Sequence, residues 1–78
     1  MLVKYKLPEM IANDEYLVAV YHDNPSELLK TIKEVNTINI NDVCYTYCDS
    51  EFIPAKSEEY VDVLNIYVDY YEFEWIWL

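Results

Sequence analysis

Residues 60–78 read YVDVLNIYVDYYEFEWIWL, and the conformation of this stretch decides the fold. As a strand, Leu64, Ile66 and Val68 fall on one face, whereas Tyr71, Phe73, Trp75 and Trp77 have the opposite parity. One extra residue at Tyr70–Tyr71, a β-bulge, restores a single apolar face and bends a strand that is otherwise too long. A helix over 58–71 competes, because Tyr60, Val61, Leu64, Tyr67, Val68 and Tyr71 recur at spacings of three and four behind Ser57 as a cap. β-Branched and aromatic residues dominate 60–70 and favour the strand there, more strongly still over 71–77.

Working back from this stretch, residues 50–59 (SEFIPAKSEE) contain Pro54 and read as a loop, and Asp42 to Asp49 (DVCYTYCD) reads as a strand. Asn24-Pro25-Ser26-Glu27 is a helix start: an N-cap acceptor, a proline at the first helical position and a Glu three residues after the cap. Leu28, Leu29, Ile32 and Val35 follow at helical spacing, with Lys30, Lys33 and Glu34 on the other side, so a helix is expected over about 25–36 with Asn36 as a left-handed C-cap. Glu15 to His22 (EYLVAVYH) is apolar nearly throughout and reads as a central strand covered on both faces. Residues 8–14 read as a connection, and Met1 to Leu7 as a short strand closed by Pro8. The expected fold is α+β: one domain over 1–78, β-β-α-β-β in order, with an antiparallel sheet of about four strands and one helix packed on one face.

Composition narrows the chemistry. The 78 residues carry 15 acids against 5 lysines, a net charge of −10, with no Gly and no Arg. A soluble small domain needs a charge of only about 2–8 in magnitude, so solubility alone does not account for it. A chain this short buries only ~60% of its unfolded surface. Nine Tyr, two Trp and two Phe supply the dense core that this demands. Without Gly there is neither a P-loop nor a dinucleotide fingerprint. Lysines scattered at 4, 6, 30, 33 and 56 do not form a nucleic-acid footprint, so no direct nucleic-acid binding is expected. The start, MLVKYKLPEMIAND, lacks the apolar run of a signal peptide, and no stretch approaches ~18 apolar residues, so the expectation is a cytoplasmic chain without a membrane span.

His22, Cys44 and Cys48 are the soft metal ligands, one short of the four a structural zinc takes. On a strand the two cysteines would lie about 13 Å apart, so buried or free thiols are expected rather than a metal or a cofactor. A Cys–His pair alone, without glycine to shape an oxyanion hole, does not make a catalytic site, and no enzymatic activity is expected.

The charge is unevenly placed. Residues 49–74 hold Asp49, Glu51, Glu58, Glu59, Asp62, Asp69, Glu72 and Glu74 against Lys56, a net of −7, while residues 1–48 carry seven acids against four lysines, a net of −3. Along a strand, same-face carboxylates repeat every ~6.6–6.8 Å, comparable with phosphates along a nucleic-acid backbone. Tyrosines interleaved with the acids add amphipathic contact area. A solvated acidic surface is the plainer account of the same residues.

A Gly-free, Arg-free chain of this size with acids interleaved among tyrosines from Asp49 to Glu74 resembles the small acidic inhibitors encoded by phages and mobile elements: anti-CRISPR, antirestriction and uracil-DNA glycosylase inhibitor proteins, several of them DNA mimics. The tail YVDYYEFEWIWL is similar in style to the acidic, aromatic strands of immunity proteins that cover nuclease toxins. Both resemblances imply a stoichiometric binder of a basic protein surface, such as a CRISPR effector or another nucleic-acid-processing enzyme. Glu58, Glu59, Asp62, Asp69, Glu72 and Glu74 are the expected pseudo-phosphates, with Tyr67 as an aromatic anchor. A third expectation is a homodimeric structural or regulatory subunit joined through Trp75, Ile76, Trp77 and Leu78, which are apolar on both strand faces.

Overall fold

The computed structural model describes residues 1–57 and 60–71. Its elements are β1 (Leu2–Lys6), α1 (Pro8–Ile11), β2 (Val18–Tyr21), α2 (Pro25–Val35), β3 (Thr37–Ile40), β4 (Val43–Ile53) and β5 (Val63–Tyr70). The strands form one sheet in the order β2-β1-β5-β4-β3. This is α+β as expected, but among the described residues the sheet has five strands and is mixed: β1 and β5 run parallel, in the register Val3↔Leu64 and Tyr5↔Ile66, and the other pairs are antiparallel.

Residues 63–70 form a strand, not a helix, and it lies at the sheet centre. Leu64, Ile66 and Val68 are buried on one face together with Val3, Tyr5, Tyr45 and Ile40 of neighbouring strands. Ile32 and, beside it, Leu28 cover this inner face from α2. β5 ends at Tyr70 and Tyr71 is not part of a strand, so the described residues do not carry the strand across the bulge expected at Tyr70–Tyr71; the dimerising segment Trp75–Leu78 lies outside the described residues. A register irregularity does occur in β4, between Tyr47 and Asp49, so that Cys48 is the extra residue.

The helix begins and ends where its caps require. The Glu27 N–H donates to Asn24 Oδ1 at 3.3 Å, Pro25 opens the helix, and the Asn36 N–H donates to Ile32 O at 2.7 Å from a residue at φ 63°. Val35 was expected in the apolar stripe but, in the last turn of the helix, is exposed.

Four expectations are corrected. The connection at 8–14 contains a second, one-turn helix, α1, which Pro8 opens. The run 15–22 is not central: β2 begins only at Val18 and is an edge strand with Val20 and Tyr21 exposed, so its apolar composition does not reflect burial on both faces. Thr37–Ile40 is a fifth strand, joined to β4 by a hairpin whose two turn residues, Asn41 and Asp42, have φ of 50° and 67°. Positive φ at both positions is the requirement of a type I′ turn, met here by residues that tolerate the left-handed region in place of glycine. Finally, residues 50–53 of the expected loop continue β4, held against β5 through Phe52↔Leu64 and Ile53↔Val63.

The hairpin yields a stability prediction. Asp42→Gly removes the cost of a β-carbon at positive φ and should raise the unfolding free energy by roughly 0.5–1 kcal/mol, whereas Asp42→Val should lower it by about 1–2 kcal/mol. Urea midpoints at constant m-value read both changes.

Candidate functional site

Side chains directly opposite one another in a sheet share a face, so the register sets out the face turned away from α2 row by row. One end is apolar: Tyr21, Leu2, Val63 and Ile53 lie in line across four strands. The next row is Ala19, Lys4, Asn65 and Glu51, and the one after it Lys6, Tyr67 and Asp49. Asp69 follows, opposite Thr46. Positive charge therefore sits on β1 and negative charge on β4 and β5.

The two lysines are engaged by the segment that leads into β2. Lys6 Nζ meets Asp14 Oδ1 at 2.8 Å, the lysine side chain 5% exposed and the carboxylate 82% exposed. Lys6 thus buries its stem while its charge reaches a solvated partner. Lys4 Nζ lies 5.2 Å from the centre of the Tyr16 ring, within cation–π range. The hydrogen bond from Lys6, then its charge and that of Lys4, hold the Asp14 carboxyl below its ordinary value. A depressed carboxylate pKa stabilises the fold above the unfolded-state value, and that contribution is lost as pH falls through the folded-state one.

The acids on β4 and β5 have no such counter-charge: among the described residues, Lys6–Asp14 is the only ion pair. Asp49, Glu51 and Asp69 are all exposed. Asp49 Oδ1 accepts the Ser50 N–H and Asp69 Oδ1 the Tyr70 N–H, each at 2.8 Å, which orients the carboxylates against the strand surface. Cys48, the bulge residue, reports their proximity, since burial, then the charges of Asp69 and Asp49, push its thiol above the ordinary value. Two carboxylates about 7 Å apart repel by roughly 0.6 kcal/mol in bulk water and about 2 kcal/mol at the effective dielectric of a protein surface.

Of the expected site residues, Tyr67 and Asp69 lie together on this face, Tyr67 half-buried between Lys6 and Asp49. Asp62 does not join them: it precedes β5, and its Oδ1 accepts the Ala55 N–H at 2.7 Å, tying down the β4–β5 connection. Glu58, Glu59, Glu72 and Glu74 lie outside the described residues. Asp49 and Glu51 were counted in the charge excess but not singled out, because they stood in a stretch read as the end of a strand and a loop. Only the β4–β5 register puts them beside Tyr67 and Asn65.

Asn65 is the odd member of the face. It is 4% exposed, lies between Lys4 and Glu51, and its Oδ1 has no hydrogen-bond partner among the described residues. A buried acceptor left unpaired costs about 1–3 kcal/mol.

The described residues contain no group of three or more His, Cys, Asp or Glu that could hold a metal ion, and no helix among them is long and apolar enough to cross a membrane. Cys44 and Cys48 are free thiols on β4. No family model, curated protein or solved structure matches this chain.

Two outcomes check this geometry. In a Cys44→Ser background, thiolate absorbance should place the Cys48 midpoint above that of an unstructured cysteine, and Asp69→Asn should move it back toward the ordinary value by removing the larger of the two charge contributions. Asn65→Leu, which removes the unpaired acceptor, should stabilise the domain by about 1 kcal/mol in chemical denaturation.

Proposed function

We propose that this chain is a stoichiometric protein inhibitor of the anti-CRISPR kind, with no chemistry of its own, whose acidic outer face occupies the basic nucleic-acid-binding surface of a defence nuclease. One observation carries the reading: Asp49, Glu51 and Asp69 are exposed on one side of β4 and β5, while the described lysines on that side are engaged elsewhere. Asp49 and Glu51, two residues apart, stand ~6.6–6.8 Å from each other, the order of spacing that a groove built for phosphates already accepts. Tyr67 between them and the lysines supplies a semi-rigid aromatic contact. The net charge of −10 steers encounter with a basic partner and repels nucleic acid itself.

The test uses a panel of purified CRISPR effector and restriction nucleases. Wild type at a molar ratio near unity should prevent one of them from binding its DNA, and the block should weaken as salt rises. The triple variant Asp49→Lys, Glu51→Lys, Asp69→Lys should weaken that inhibition by roughly 100-fold or more while retaining its circular dichroism, since close cross-interface charge pairs are each worth about 1.5 kcal/mol or more. Undiminished inhibition by the triple variant would overturn the assignment of this face.

A further inference from the structure

β4 is longer than its outer neighbour. It pairs with β5 from Tyr45 to Ile53, but with β3 only from Val43 to Thr46, followed by one last bond from the Tyr47 N–H to Asn36 O at 3.2 Å. From Cys48 to Ile53 the other edge of β4 has no strand beside it among the described residues. The bulge at Cys48 marks the change from a paired to an open edge.

We infer that this open edge is a strand-addition site, and that its occupant is an extended segment of a partner protein with Lys or Arg at every second position. Backbone, side chains and charge each support it. Alternate residues of an antiparallel strand turn their N–H and C=O to opposite neighbours. The Ser50 N–H is held at 2.8 Å by the carboxylate of its own neighbour Asp49, so it turns away from β5, and Phe52 follows it by the period of two. These outward groups are the template for an added strand.

Side chains of such a strand alternate between two different surroundings. On the outer face they meet Asp49 and Glu51, which calls for cations two residues apart. On the inner face they meet Ser50 and Phe52, the latter 52% exposed. That calls for a small or medium apolar residue between the cations. Arrival of the strand exchanges the Ser50–Asp49 bond for one to the partner's carbonyl and turns the Asp49 carboxylate over to a partner cation.

A second copy of this chain is the poorer occupant. Two β4 edges pairing antiparallel about Ser50 would set Asp49 opposite Glu51 twice, and like charges directly opposite destabilise a sheet. In that register the same two acids that recruit a basic strand oppose self-association. The sign of the partner's charge rests on the proposed function, whereas the location of the edge does not.

The experiment titrates the isotopically labelled full chain with a short peptide alternating Lys and Val, and reads amide shifts and hydrogen exchange. Saturable shifts centred on Ser50 to Ile53, with slowed exchange of the Phe52 amide, are expected. N-methylation of the peptide on the edge facing β4 should weaken binding about tenfold or more, because each methyl removes a backbone N–H that the edge would accept. The Glu/Val counterpart should not bind. Equal binding of the methylated peptide, with shifts spread over Tyr67 and Asp69, would overturn strand addition and leave the acidic-face inhibitor standing. Edge shifts with the Glu/Val peptide as strong as with Lys/Val would overturn the basic occupant and the proposed function together. Absence of binding, or concentration-dependent dimerisation through the same edge, would overturn the inference.

Discussion

The parallel pairing of β1 with β5 is the contact on which the rest of the molecule depends. Val3 beside Leu64 and Tyr5 beside Ile66 join β1 to β5 and, with Val68, form the centre of the core. Residues this far apart in sequence meet only by closing a loop of nearly the whole chain, and the entropy of that closure must be offset by burial on the inner face. Because β5 also pairs with β4, it joins the β2-β1 part of the sheet to the β4-β3 part. Without it the chain has two short hairpin-like fragments, each too small to be stable alone.

The same insertion sorts the charge. β1 brings Lys4 and Lys6 to one side of β5, and β4 brings Asp49 and Glu51 to the other. The lysines turn to Asp14 and Tyr16, side chains of the segment before β2, so the acids on β4 and β5 are left facing water and one another. A bulge at Cys48 then ends the partnership of β4 with β3 close to where these acids begin. Acidic face and open backbone edge thus arise from one strand, which outruns one neighbour and not the other.

Local features of this fold were legible and distant ones were not. Asn24, Pro25 and Asn36 bounded α2 correctly, since capping depends on dihedral angles and hydrogen bonds within a few residues. The strand expected over 60–70 was read from its β-branched and aromatic content and its period of two, and it forms over Val63–Tyr70. The Asn41–Asp42 hairpin is local too, yet it escaped because the usual glycine signal is absent and two acid- or amide-bearing residues take the left-handed region instead. On the acidic face, the shared side of Tyr67 and Asp69 was legible from strand parity, the backbone bond that keeps Asp62 off that face shows only in three dimensions, and Asp49 and Glu51 awaited the β4–β5 register.

The amino-acid sequence by itself determined the capped helix, the strand character of the central segment, the net charge of −10 and its concentration after residue 48, all properties of composition or of neighbours along the chain. Tertiary structure decided which strands are edges, that β1 and β5 run parallel, which lysines are engaged, and which acids stand together. The physical reason is that a period of two assigns faces within a strand but says nothing about its neighbours. Register between strands distant in sequence is settled only by the collective burial of Val3, Tyr5, Leu64, Ile66 and Val68.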